Sequence, residues 1–190
     1  MYIPEVDYRD TLSWNVISSV DAPVLEETNG SGYQTVIVYD NMLSVSGINH
    51  GDYAMIPLKD YDLNFNGYDV ISVSFDLSGG GTDGTFEAKL LAYNSNGDLS
   101  IGIYPGEYIT YDLADFVSEV KRIEYVVTKI GSRTYNAKFY FDDEIVKDFD
   151  FESAYLNQIG GIKIGTFNIE GGSYNMYVTD LEVKTASTNS

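Results

Sequence analysis

Cysteine is absent from this 190-residue sequence, histidine and tryptophan occur once each, proline only four times, and 11 lysines and arginines face 29 aspartates and glutamates. Without cysteine there is no disulfide framework, no thiolate nucleophile and no cysteine-bound metal. A formal net charge of −18 makes the surface repel phosphate backbones and anionic lipid, which argues against nucleic acid and membrane partners. No run of about 18 apolar residues is present, as a membrane-spanning helix would need. The opening MYIPEVDYRD has neither the basic start nor the apolar run of a signal peptide. The expectation from it is a chain made and used inside a cell, or one whose export signal has been cut away. Cations, sugars and protein surfaces remain as partners.

What is present is alternation. In Thr134 to Phe141, Tyr135, Ala137, Phe139 and Phe141 share one phase, and Thr134, Asn136, Lys138 and Tyr140 the other, the period of a half-buried strand. Asp142-Asp143 makes a tight turn to a returning arm at Glu144 to Val146. Ile159 to Thr166 and Tyr174 to Val183 follow as strands separated by Gly171-Gly172. Within the last of these, Tyr174, Met176 and Val178 share a phase from which Leu181 and Val183 have slipped by one, so a β-bulge is predicted near Thr179-Asp180.

The earlier chain carries the same signals. Leu12, Trp14 and Val16 alternate as a first strand with the tryptophan in the core. Tyr33 to Tyr39, Met42 to Ile48 and Tyr53 to Leu58 are short strands, the first two joined by an Asp40-Asn41 hairpin turn. Val70 to Leu77 points Ile71, Val73, Phe75 and Leu77 inward, and Gly79-Gly80-Gly81 is predicted to turn the chain into Thr85 to Tyr93. Asn94 to Asp98 then closes a hairpin to Leu99 to Tyr104. One helix is predicted at about 112–120, where Asp112 caps and Leu113, Phe116, Val117 and Val120 fall at helical spacing. The fold class is therefore all-β: a two-sheet antiparallel β-sandwich or jelly roll with one short helix. Its organisation is an N-terminal arm (1–10), one sandwich domain (11–184) and a flexible tail (185–190).

The chemical motifs are few. Asp60, Asp62 and Asn64 alternate like the first ligands of an EF-hand. The required glycine is Phe65 and the closing glutamate is Ile71, so the segment reads as a loop with Tyr61, Leu63 and Phe65 tucked beneath it. The lone His50 lies in a turn with no nucleophile motif. Asp148, Asp150 and Glu152 alternate with Phe149 and Phe151, placing three acids on one strand face about 6 to 7 Å apart. That row suits two catalytic carboxyls, a cation or the charged side of an edge strand, and the edge is preferred. Tyr93 and Tyr140, on faces opposite the core, are candidate sugar platforms, with Asn94 and Asn96 beside Tyr93 as polar contacts. Asp98, Asp142 and Asp143 are the candidate ligands for a calcium ion.

The progression from IEYVVTKIGSRTYNAKFYFDDEIVKDFDF through IGGIKIG to YNMYVTDLEVK resembles the second half of concanavalin A-like lectin/glucanase domains, laminin-G-like ones included. The resemblance implies a β-sandwich that binds glycans or proteins, in some members with calcium, and whose last strand pairs with the N-terminal one. The glucanases of that group carry Glu-x-Asp-x-x-Glu, which is missing here, so the expectation is a non-enzyme. The reading drawn is a non-catalytic lectin-like binding or assembly module. Its expected place is a phage or virion surface, as capsid decoration or fibre-associated adhesin touching glycans, capsid or tail proteins. A glycan-binding module of a secreted or cell-surface bacterial protein is the alternative, and a glycoside hydrolase or lyase comes third.

Overall fold

The computed structural model describes residues 6–28, 34–39, 41–47, 53–81, 85–93, 99–100, 108–112, 119–153, 156, 158–167 and 172–188. Fifteen strands occupy most of that length: β1 Asn15–Val20, β2 Glu26–Thr28, β3 Gln34–Tyr39, β4 Met42–Gly47, β5 Tyr53–Pro57, β6 Leu63–Asn64, β7 Val70–Gly81, β8 Thr85–Tyr93, β9 Leu99–Ser100, β10 Tyr108–Asp112, β11 Lys121–Lys129, β12 Thr134–Phe141, β13 Glu144–Glu152, β14 Gln158–Phe167 and β15 Gly172–Ala186. They form two sheets. One has eight strands in the order β13-β12-β11-β7-β15-β4-β3, with β1 added beside β15; the other has seven in the order β10-β8-β14-β5-β2, with β6 beside β14 and β9 beside β8.

The alternating residues close the sandwich. From the eight-stranded sheet come Ile71, Val73, Phe75 and Leu77, Ile123, Tyr125 and Val127, and Ala137 and Phe139. They meet Ala54, Ile56, Ala88, Leu90, Ile162 and Ile164 of the facing sheet in one continuous buried cluster. Each large aliphatic or aromatic side chain removed from water this way contributes about 1.5–3 kcal/mol. Tyr125 meets Phe139 edge to face with centroids 4.7 Å apart.

The slipped phase of the last strand has the predicted cause. The register of β15 on β7 shifts between Thr179 and Glu182, with Asp180 at a φ of 53°. Met176 and Val178 before the bulge, and Leu181 and Val183 after it, are all buried. Of the expected Asp40-Asn41 turn, Asp40 lies outside the described residues, while Tyr39 pairs with Met42 and Asn41 is at positive φ. The Asp60 segment buries Leu63 and Phe65 and packs Tyr61 against the same core. β15 also pairs with β1.

Three expectations are corrected. Gly79-Gly80-Gly81 do not turn the chain: they extend β7 and pair with Met176, Asn175 and Tyr174 of β15. Gly79 has a φ of 121°, and a Cβ there would collide with the carbonyl of Asn175, so the glycine serves a close backbone approach. Trp14 precedes β1 and packs outside the sandwich, not within it. Of the helix expected at 112–120, Asp112 is the last residue of strand β10, Glu119 and Val120 are not helical, and residues 113–118 lie outside the described residues. At the chain's end, Thr185 and Ala186 pair with Ile71 and Val70 inside β15.

Candidate functional site

A second apolar cluster lies on the outer face of the eight-stranded sheet. Val70, Val126, Tyr140 and Ala186 are buried there beneath Tyr8, Leu12 and Trp14, of which Tyr8 opens the 3-10 turn Tyr8–Thr11 and the other two follow it. Asp7 caps that turn by accepting from the Arg9 N–H at 2.9 Å. The indole Nε1 of Trp14 donates to the Arg9 carbonyl at 2.9 Å, and the Lys184 ammonium sits 4.7 Å from the Trp14 ring centroid. Tyr8 shares a hydrogen bond with Thr128 at 3.0 Å. Residues 7–14 thus cross the sheet face as a strap fixed by side chains.

Arg9 is its central pin. The guanidinium stands 3.9 Å from the centroid of the Tyr140 ring and pairs with Asp7 at 2.6 Å, Glu124 at 2.7 Å and Asp143 at 3.1 Å. Glu124 is buried, accepts from the Ser72 hydroxyl and lies 3.7 Å from the Lys184 ammonium. Three carboxylates therefore converge on one side-chain cation. The Arg9 hydrogen bond holds the Asp7 carboxyl below its ordinary pKa. The same bond, with those from Glu124 and Asp143, raises the Arg9 value further. Burial, assisted by the nearby Asp7 charge, pushes the Tyr140 phenol up to about 12.

Beside the strap opens a cleft of about 360 Å³, walled by Val6, Asp7 and Tyr8 on one side and by Lys138, Tyr140, Asp143, Ile145 and Asp148 on the other. β12 supplies Lys138 and Tyr140 from its outer phase, and the β12–β13 hairpin supplies the rest. The Lys138 ammonium donates to Asn136 at 2.6 Å, lies 3.6 Å from Asp148 and covers the Tyr8 ring at 4.7 Å from its centroid. The cleft is an amphipathic slot: aromatic and aliphatic walls, three acidic acceptors in Asp7, Asp143 and Asp148, and one ammonium donor.

The candidate residues from sequence fall out unevenly. Tyr140 and Asp143 meet in this cleft. Tyr140 is not an open platform, however, because its outer face is taken by Arg9 and it is buried. Asp142 accepts from the Arg122 N–H at 2.8 Å, and its carboxylate lies 3.3 Å from the Lys121 ammonium. Asp142 and Asp143, at φ values of 51° and 65°, form the two-residue turn that joins β12 to β13. Both carboxylates are thus engaged by basic side chains, and among the described residues no group of three or more acids or histidines is placed to hold a metal. Tyr93 lies in β8, in the opposite sheet, paired with Gln158, so it does not join Tyr140. Asn94, Asn96, Asp98 and His50 lie outside the described residues. Arg9, Glu124 and Lys138 were not among the sequence candidates. The outer phase of β11 and β12 carried the signal for two of them, since a charged residue in the phase facing away from a core invites a partner.

Comparison with known proteins places the fold and no more. No protein-family model and no curated protein sequence matches the chain. Among solved structures, a protein of unknown function with a galectin-like fold from Bacillus subtilis aligns at a TM-score of 0.52 and 11% identity, over 94% of this chain and 100% of that one. The botulinum neurotoxin type G receptor-binding domain aligns at 0.45 and 11% identity, over 92% of this chain and 49% of that one. The binding domain of botulinum neurotoxin DC, in complex with rat synaptotagmin II, aligns at 0.48 and 11% identity, over 92% and 49%. The chain spans about half the length of these toxin domains. At such identity the alignment with the Bacillus subtilis protein carries the architecture alone: this chain is a lectin-like β-sandwich of galectin-like fold.

Proposed function

We propose that the protein is a non-catalytic lectin-like binding module, and that its ligand is a glycan docking in the cleft between the strap and the β12–β13 hairpin. The carrying observation is that cleft. On a galectin-like sandwich it joins the apolar Val6 and Ile145 to the Asp143 and Asp148 carboxylates and to the Lys138 ammonium, which covers the Tyr8 ring. Sugar hydroxyls need acceptors and donors beside an apolar wall for their C–H faces.

The acidic row of β13 supports binding over hydrolysis. β13 is the terminal strand of its sheet. Asp148 and Asp150 both accept from one Asn136 amide nitrogen, at 2.8 and 2.9 Å, and both are exposed. Glycoside hydrolysis requires an environment that keeps one carboxyl protonated while its neighbour stays ionised. Two exposed carboxylates sharing one amide are instead suited to guarding a sheet edge and accepting from a ligand.

The finer placement within the concanavalin A-like, laminin-G-like group is supported by the aspartate turn after β12 and the pairing of β15 with β1. A capsid or fibre surface on a phage or virion is the proposed setting. The strong acidity and the absence of cysteine support it only so far as they leave glycans and protein surfaces as partners. Capsid and tail genes beside this one would support that setting, and polysaccharide-utilisation genes would favour a secreted bacterial module. The binding reading itself is tested on a glycan array, with and without a chelator. Retention of at least one glycan in both conditions is expected, and silence in both would overturn it.

A further inference from the structure

A second and larger cavity, about 470 Å³, opens where the chain passes from one sheet to the other. Its floor is aliphatic: Val20 at the end of β1, Pro23 in the connection, Met55 and Pro57 of β5, and Leu181. Its rim carries Glu26, Lys59, Asp60 and Tyr61. The β15 bulge builds the floor. The Asp180 N–H donates to the Asp21 carbonyl at 3.0 Å, which ties the connection to the bulge while Leu181 stays buried. The rim is held by the 3-10 turn Lys59–Tyr61, closed by Asp62 in the left-handed region and braced by the Gln158 amide donating to the Lys59 carbonyl at 2.9 Å. At the mouth, Val24 is left 73% exposed, an apolar side chain that a ligand would cover.

The chemistry of the lining selects a ligand. A plain polyhydroxylated ring would set only the C–H bonds of one ring face against the aliphatic floor, and an anionic sugar would face Glu26 and Asp60. An acetamido group matches each part. Its methyl rests on the floor, its N–H donates to a rim carboxylate, and its carbonyl oxygen accepts from the rim. The Tyr61 phenol, 3.5 Å from the Ser18 hydroxyl, is the rim hydroxyl that can donate to that carbonyl. The volume falls in the range of small-molecule sites and suits one or two sugar units. We infer that this cavity is a second binding site, specific for an N-acetylated amino sugar. It shares with the cleft only the broad class of ligand and no residue of the lining.

The test is saturation-transfer NMR on the intact chain with N-acetylglucosamine and, separately, glucose. Transfer to the acetamido methyl is expected, with none to glucose. The double variant Glu26→Ala, Asp60→Ala should weaken binding about tenfold or more, as loss of a charge-assisted hydrogen bond implies. Ala22→Trp, which fills the cavity from an exposed position, should abolish transfer at an unchanged thermal midpoint. Equal transfer to glucose, no transfer to either, or transfer indifferent to both variants would overturn the site. Loss on Lys138→Ala alone would assign the signal to the cleft and equally contradict it.

Discussion

The guanidinium of Arg9 reaches the buried carboxylate of Glu124 at 2.7 Å across 115 positions of sequence. Removing the cation leaves Glu124 with the Ser72 hydroxyl and a more distant Lys184. Breaking a buried pair from one side is costly, so Arg9→Ala is expected to lower stability by about 3 kcal/mol. The double variant Arg9→Ala, Glu124→Gln should recover about 1 kcal/mol or more of that loss. Urea denaturation of the four proteins in this cycle measures the coupling. Strict additivity would mean the pair does not hold the strap.

Stability should fall at both ends of the pH scale for separate reasons. The Asp7 carboxyl is held below its ordinary value by Arg9, so its contribution is complete above the ordinary carboxylate range and is lost as pH falls through the lowered folded value. Asp7→Asn should flatten the acid limb of the stability curve. Tyr140 is the reverse case, a phenol raised by burial from 10.0 to about 12. Its neutral form contributes fully below 10, and the contribution is lost as pH climbs towards 12. Ultraviolet titration should show a late tyrosine that disappears in Tyr140→Phe while the ring under Arg9 is retained.

Gly79→Ala and Gly161→Ala should differ in kind. At Gly79 the positive φ and the Asn175 backbone both oppose a side chain, and a cost of about 3 kcal/mol or more is expected. At Gly161 the Ile56 carbonyl oxygen lies 3.0 Å from an added Cβ, and nearer still are the Sδ and Cγ of the Met55 side chain, at 2.8 and 2.9 Å. That side chain can move, which limits the cost to about 1–2 kcal/mol. Thermal midpoints of the two variants make the comparison.

Calcium should do little at the β12–β13 turn. Asp142 is engaged by the Arg122 N–H and Lys121, and Asp143 by Arg9. Millimolar calcium is therefore expected to move the thermal midpoint by less than about 1 °C, because a ligand stabilises only in proportion to its binding. A calcium-dependent rise that vanishes in Asp142→Asn would restore these aspartates as ligands.

Local pattern reached as far as local physics decides. The period of β12, the two-residue Asp142-Asp143 turn and the slip at Thr179-Asp180 were legible because a side chain's face follows from its phase. Gly79 to Gly81 misled because a glycine run marks turns in most sequences, whereas here the close approach of Asn175, about a hundred residues away, decides the conformation. Trp14 misled similarly: its alternation with Leu12 was real, but the apolar surface it covers is the outer face of β7, β11, β12 and β15. The strap was illegible because its pin, Arg9, finds Glu124 and Asp143 only after the sheet has formed. The candidate cleft was half visible, through Tyr140 and Asp143, while its other wall came from the N-terminal segment.

The central claim, that the cleft beside the strap binds glycan, is tested most directly by titration calorimetry of a glycan retained on the array. The proteins compared are the intact chain, Lys138→Ala and Asp148→Ala. Both substituted side chains line the cleft, and each variant is expected to weaken binding about tenfold or more while leaving the thermal midpoint within a few degrees. Undiminished affinity in both variants would contradict the account.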